Sequence, residues 1–128
     1  MTAATRTCLL VVLVCNLIWQ ASCGLCGDDV KSKATSTDGQ LVAYVYERNC
    51  GATTDFSAMV NVQSSREQFH GDEGILFVAK GRYDLSVEWT SPRALLITCS
   101  RCSRKDVFRQ VVAFGDVDVK FVFAADAR

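Results

Sequence analysis

From residue 40 onward the chain is written in short stretches of period two. QLVAYVYER (40–48) sets Leu41, Ala43 and Val45 against Val42, Tyr44 and Tyr46, and FSAMVNVQ (56–63) sets Phe56, Ala58, Val60 and Val62 against polar or flexible partners. Such alternation predicts half-buried strands. GILFVAK (74–80) is more continuously apolar and predicts a central strand. DLSVEWT (84–90) puts Leu85, Val87 and Trp89 on one face, SPRA (91–94) predicts a turn, and LLITC (95–99) resumes the strand pattern. VFRQVVAF (107–114) and VDVKFVF (117–123) flank Gly115-Asp116, where glycine in the first loop position suits a tight hairpin. Asp38-Gly39 supplies turn chemistry ahead of the first of these strands. SSREQFHGDE (64–73) is polar, contains Gly71 and predicts a loop. The expected fold is mainly β: a small single domain, one antiparallel sheet of about seven to eight strands, curled or folded into a sandwich to bury its apolar face.

The beginning of the chain has a different pattern. Arg6 is followed by the apolar run CLLVVLVCNLIW (8–19) and then by Ala21, Ser22 and Cys23, the order of parts of a signal peptide. The run is shorter than the roughly 20 apolar residues of a membrane-spanning helix. Residues 1–22 are therefore read as a cleaved signal, 23–33 as an anchor and lead segment, and 34–128 as the β-rich domain. QASC (20–23) is similar to the lipid-attachment signal of bacterial lipoproteins at Ala21, Ser22 and Cys23 and departs from it at Gln20, where an aliphatic residue is usual. The expectation is lipidation of Cys23 in an exported, envelope-located protein, with ordinary cleavage after Cys23 or Gly24 as the alternative.

Removing residues 1–22 changes the charge and cysteine counts. The full chain carries 14 basic and 14 acidic residues, and the segment takes away only Arg6. A near-neutral remainder argues against a nucleic-acid partner, which a basic patch or stripe would mark. Cys8 and Cys15 leave with the signal, and lipid on Cys23 leaves Cys26, Cys50, Cys99 and Cys102. Four cysteines in an oxidising compartment predict two disulfides in one of three connectivities, of which Cys26–Cys50 with Cys99–Cys102 is favoured.

STDGQLVAYVYERNCGATTDF (36–56), with DLSVEWTSPRALLI (84–97), resembles a group of uncharacterised bacterial lipoproteins and membrane-anchored proteins. Their pattern runs from a Ser-Pro-Asp-Gly-Lys turn through an alternating strand to a Gly-Ala-Thr-Thr-Asp/Gly-Phe loop, often with a cysteine before it, and on to a later strand with Trp. Gly51, Ala52, Thr53, Thr54 and Phe56 match, whereas Thr37 and Gln40 stand where proline and lysine are common. GLCGDD (24–29) is similar to the start of those members that also carry the loop cysteine, which supports pairing Cys26 with Cys50. The resemblance implies a compartment and an architecture; it carries no activity.

Candidate chemistry is sparse. Gly51, Thr53, Thr54 and Asp55 are the candidate binding loop, a small polar or anion-binding nest, though a disulfide-held turn uses the same residues structurally. Cys99 and Cys102 have the spacing of redox and metal motifs, but they follow a strand rather than open a helix, so a hairpin-tip disulfide is expected. His70 is the single histidine, and no second pair of ligands completes a metal site. Ser64, Ser65, His70 and Asp72 cluster in sequence without triad geometry. Arg101, Arg104, Lys105 and Arg109 form a local basic cluster. The expectation is a cell-envelope lipoprotein acting as a binding module, not an enzyme. It would need no cofactor or metal, and its partners would be the membrane, through its anchor, and another envelope protein. The alternative is a thiol–disulfide or metal-handling protein using Cys99 and Cys102.

Overall fold

The computed structural model describes residues 26–124. Residues 1–22, expected to be a signal peptide, and Cys23 lie outside the described residues, as do residues 125–128. Nine strands form two sheets: β1 (Gly27–Thr35), β2 (Leu41–Asn49), β3 (Ser57–Ser64), β4 (Ile75–Lys80), β5 (Asp84–Ser91), β6 (Ala94–Ser100), β7 (Val107–Gln110), β8 (Ala113–Phe114) and β9 (Val117–Ala124). The first sheet has the order β1-β2-β3-β4-β7 and the second β5-β6-β9-β8. The described residues thus form one small, mainly β sandwich, in which no helix is long and apolar enough to cross a membrane.

The period-two residues make the core as expected. Val45, Val60, Val62 and Phe77 of the first sheet meet Trp89, Leu95, Ile97 and Val119 of the second, all nearly or fully buried. At one end, three turns are tied together. The β1–β2 turn closes with Ser36 N–H on the Leu41 carbonyl at 2.8 Å and Gly39 N–H on the Ser36 carbonyl at 2.9 Å. Arg93, in the β5–β6 turn, donates to Asp38 at 2.9 Å, to Asp116 of the β8–β9 turn at 3.1 Å and to Gln40 at 2.8 Å.

Three features differ from the expectation. The part of the 23–33 lead segment that is described belongs mostly to β1, paired antiparallel with β2 from Gly27–Asn49 to Thr35–Val42. Nearly all its residues are exposed, so no apolar alternation betrays it. Its pairing rests on the backbone ladder and on charges, with Arg48 making a two-pronged contact to Asp28 at 2.7 and 2.8 Å. Second, 107–114 is not one strand. β7 pairs with β4 in the first sheet, and β8 pairs with β9 in the second, so the chain changes sheets at 111–112. Third, that crossing returns β9 parallel to β6, not antiparallel, over Ala94–Asp118 to Ser100–Ala124. A strand entering beside β6 after a visit to the other sheet is freed from the antiparallel direction that a direct hairpin imposes.

The loop 65–74 is folded against the sheet, although most of its side chains stay exposed. It lies on the outer face of the first sheet, which explains why β3 is buried on both faces, including the polar Asn61 and Gln63. Asn61 Nδ2 donates to the carbonyls of His70 (2.9 Å) and Glu73 (3.0 Å), and Gln63 Oε1 accepts from His70 N–H at 2.8 Å. Phe69 packs on Tyr44 and Tyr46 at ring separations of 4.9 and 5.0 Å, and the Tyr46 hydroxyl donates to the Gly71 carbonyl at 2.7 Å. A Cβ at Gly71 would meet the Asp28 carboxylate and the Arg48 guanidinium, whose side-chain ends would have to shift to admit it.

Candidate functional site

The loop that most resembles a motif is held from both ends. Cys50 is disulfide-bonded to Cys26. Asn49 Oδ1 accepts from Gly51 N–H at 3.0 Å, and both Thr54 N–H (3.3 Å) and Thr54 Oγ1 (3.1 Å) donate to the Gly51 carbonyl. Gly51 has φ of 122°, a conformation costly for any side chain. Asp55 pairs with Lys80 at 3.1 Å, and the Arg82 guanidinium stacks over the Phe56 ring at 3.7 Å. Gly51, Thr53, Thr54 and Asp55 are all exposed. Their polar atoms serve the turn or its flank rather than converging on a cavity.

Cys99 and Cys102 are also disulfide-bonded. Cys99 is only 1% exposed and belongs to the core, and the link spans a turn in which Arg101 takes a positive φ of 63°. A single 3-10 turn, Arg104–Asp106, follows. A redox cysteine is activated at a helix N-terminus and partly exposed; Cys99 has neither condition. Among the described residues no three of His, Cys, Asp and Glu lie close enough to hold a metal ion.

The 64–73 candidates have separate duties. Ser64 Oγ accepts from Arg66 N–H at 3.3 Å, His70 Nδ1 accepts from Asp72 N–H at 3.4 Å, and Asp72 pairs with Arg48 at 2.8 Å. The Arg48 guanidinium is held charged by its hydrogen bonds to Asp28 and Asp72. Burial pushes the Tyr46 phenol well above its ordinary pKa, and the carboxylates of Asp28 and Asp72 add to that while Arg48 opposes it. These groups lock a loop; they do not assemble a nucleophile and base.

The sandwich is incomplete along one side. β9 is paired with β6 from Asp118 to Ala124, but β8 covers only Val117 and Asp118 on its other side. Asp118 N–H donates to the Arg93 carbonyl and Arg101 N–H to the Ala124 carbonyl, whereas Val119 N–H donates the other way, to the Val112 carbonyl. In a parallel ladder, alternate residues direct both backbone groups to the same neighbour. Even-numbered residues of β9 therefore face β6, and Phe121 and Phe123 direct theirs outward, with no backbone partner among the described residues.

Opposite this edge stands β7, the last strand of the first sheet. It carries a bulge between its pairs with Val78 and Ala79, and the extra residue, Phe108, is 70% exposed. Between β7 and β9 runs a groove of about 280 Å³ lined by Arg104, Val107, Phe108, Arg109, Gln110 and Phe123. Phe123 lies on Phe77 at 6.4 Å, with the Arg104 guanidinium above its ring at 5.0 Å. Neither Arg104 nor Arg109 forms an ion pair among the described residues. The basic cluster was legible in the sequence; the edge and Phe108 were not, because both depend on the change of sheet at 111–112.

The chain matches no protein-family model, no curated protein and no solved structure.

Proposed function

We propose that this protein is an exported module of the bacterial cell envelope, anchored by lipid at Cys23, that binds another envelope protein and carries no catalytic centre. The observation that carries the binding role is the open β9 edge. Unpaired backbone donors and acceptors beside an exposed aromatic side chain are a template for another chain. The two disulfides suit an oxidising compartment, and the Ser36-to-Phe56 pattern supports kinship with the membrane-anchored proteins that share its turn and loop.

Intact mass of the protein recovered from the envelope of a bacterial host, with and without reduction and alkylation, tests this reading. The expected species begins at a lipidated Cys23 and takes up alkylating reagent only after strong reduction. A chain that stays in the cytoplasm, or one whose Cys99–Cys102 pair opens under mild reductant, overturns it; the second result would favour thiol–disulfide chemistry.

A further inference from the structure

Three of the four sheet edges are defended in the ways edges usually are. β1 is bulged at Val30/Ser32 and carries Lys31 and Lys33. β5 exposes Asp84 and Glu88 along its length. β7 is four residues long and bulged. Lysines, bulges and short length all discourage strand pairing. The stretch 120–124 of β9 has an apolar sequence after Lys120, no bulge and no proline. Left bare, it would invite aggregation.

We propose that this edge takes up an extended acidic segment of another protein as an added strand, hydrogen-bonded to Phe121 and Phe123. One apolar side chain of that segment fills the groove beside Val107, Phe108 and Phe123, and its flanking carboxylates meet Arg104 and Arg109. The proposal rests on the binding role inferred above and names its partner's chemistry. A strand beside β9 extends the line that β8 begins, and its inward side chains, alternating with outward ones, fall over the groove. Charge decides which partner. A second copy of this chain, added edge to edge about a two-fold axis, would set Arg104 and Arg109 near their own symmetry mates, and like charges brought together across an interface are disfavoured. An acidic segment pairs with both guanidiniums, which no carboxylate among the described residues occupies. An anionic membrane surface would satisfy the charges and leave the Phe121 and Phe123 backbone groups unpaired.

The test uses the exported protein purified in neutral detergent. The probe is a fluorescein-labelled peptide of roughly nine residues, the length of a long strand, alternating Glu with Val around a central Phe. Controls are the same peptide with Lys for Glu and one with N-methylated backbone amides. Anisotropy should show saturable binding of the acidic peptide alone, and hydrogen exchange should slow at Phe121 and Phe123. The double charge reversal Arg104→Glu/Arg109→Glu should weaken it on the order of tenfold or more and turn the preference toward the Lys peptide. That inversion also shows that the variant is folded. Absence of binding, equal binding of either control, or protection at another edge overturns the proposal, as does a stable dimer that shields Phe121 and Phe123. None of these results alters the mass and alkylation outcome that tests the envelope reading, so the two fail separately.

Discussion

Replacing Asn61 by alanine tests the claim that the 65–74 loop is part of the fold. The change removes two partly buried hydrogen bonds, to the carbonyls of His70 and Glu73, each with a net contribution of about 1 kcal/mol. If the loop stayed in place, the two carbonyls would lose that partner, at about 1–3 kcal/mol for each one left buried. Lifting the loop is the cheaper response, but it uncovers Gln63 and the Phe69 contact with Tyr44 and Tyr46. One gain offsets these losses: Asn61 Oδ1 is buried with no hydrogen-bond partner among the described residues, so its removal recovers on the order of 1 kcal/mol. The balance is a loss of about 2–3 kcal/mol, or roughly 10–20 °C in Tm for a domain of this size. Thermal melts followed by circular dichroism, with hydrogen exchange across 65–74, measure both effects. His70→Ala is the control, since His70 contributes chiefly its backbone; it should stay within about 0.5 kcal/mol of the parent. An Asn61→Ala variant that melts within a few degrees of the parent, with the loop still protected, would refute the argument.

Other outcomes follow from the same structure. Cys50→Ser opens a link between residues 24 apart in sequence, and the chain-entropy relation gives a loss of about 3.5 kcal/mol; an unchanged Tm would contradict the structural role of the Cys26–Cys50 bond. The Tyr46 phenol is raised by burial, so its contribution is fully present below the unfolded value near pH 10 and is lost as pH rises above it. Denaturation between pH 8 and 11 should show that fall, reduced in Tyr46→Phe, with Tyr83, raised by its hydrogen bond to Asp106, adding a change of the same sign. Asp38 is lowered by its hydrogen bonds from Ser36 and Gln40 and by Arg93, so its contribution is present above about pH 4 and lost as pH falls below it. An Asp38→Asn variant should have a flatter acid limb, and an identical limb would count against the tied turns.

Much of the fold was legible because the core strands obey their period. Leu85, Val87 and Trp89 face inward as written, and each apolar stretch from 40 to 99 became a strand at nearly its expected bounds. β1 escaped because an exposed edge strand has no apolar face to show. The two-sided burial of β3 escaped because Asn61 and Gln63 read as solvent-facing until the loop that covers them is placed. The candidate site depended on pairing partners, and pairing is long-range information. Arg104 and Arg109 stood out as charges, but nothing local reveals that Phe121 and Phe123 line an open edge beside them.

Amide hydrogen exchange along β9 in the free protein, resolved residue by residue, tests that open edge most directly. Exchange should alternate: slow at Lys120 and Val122, whose N–H groups face β6, and fast at Phe121 and Phe123. Uniform protection through 120–123 would mean that another part of the chain already covers the edge, and the proposed docking strand would have no place to add.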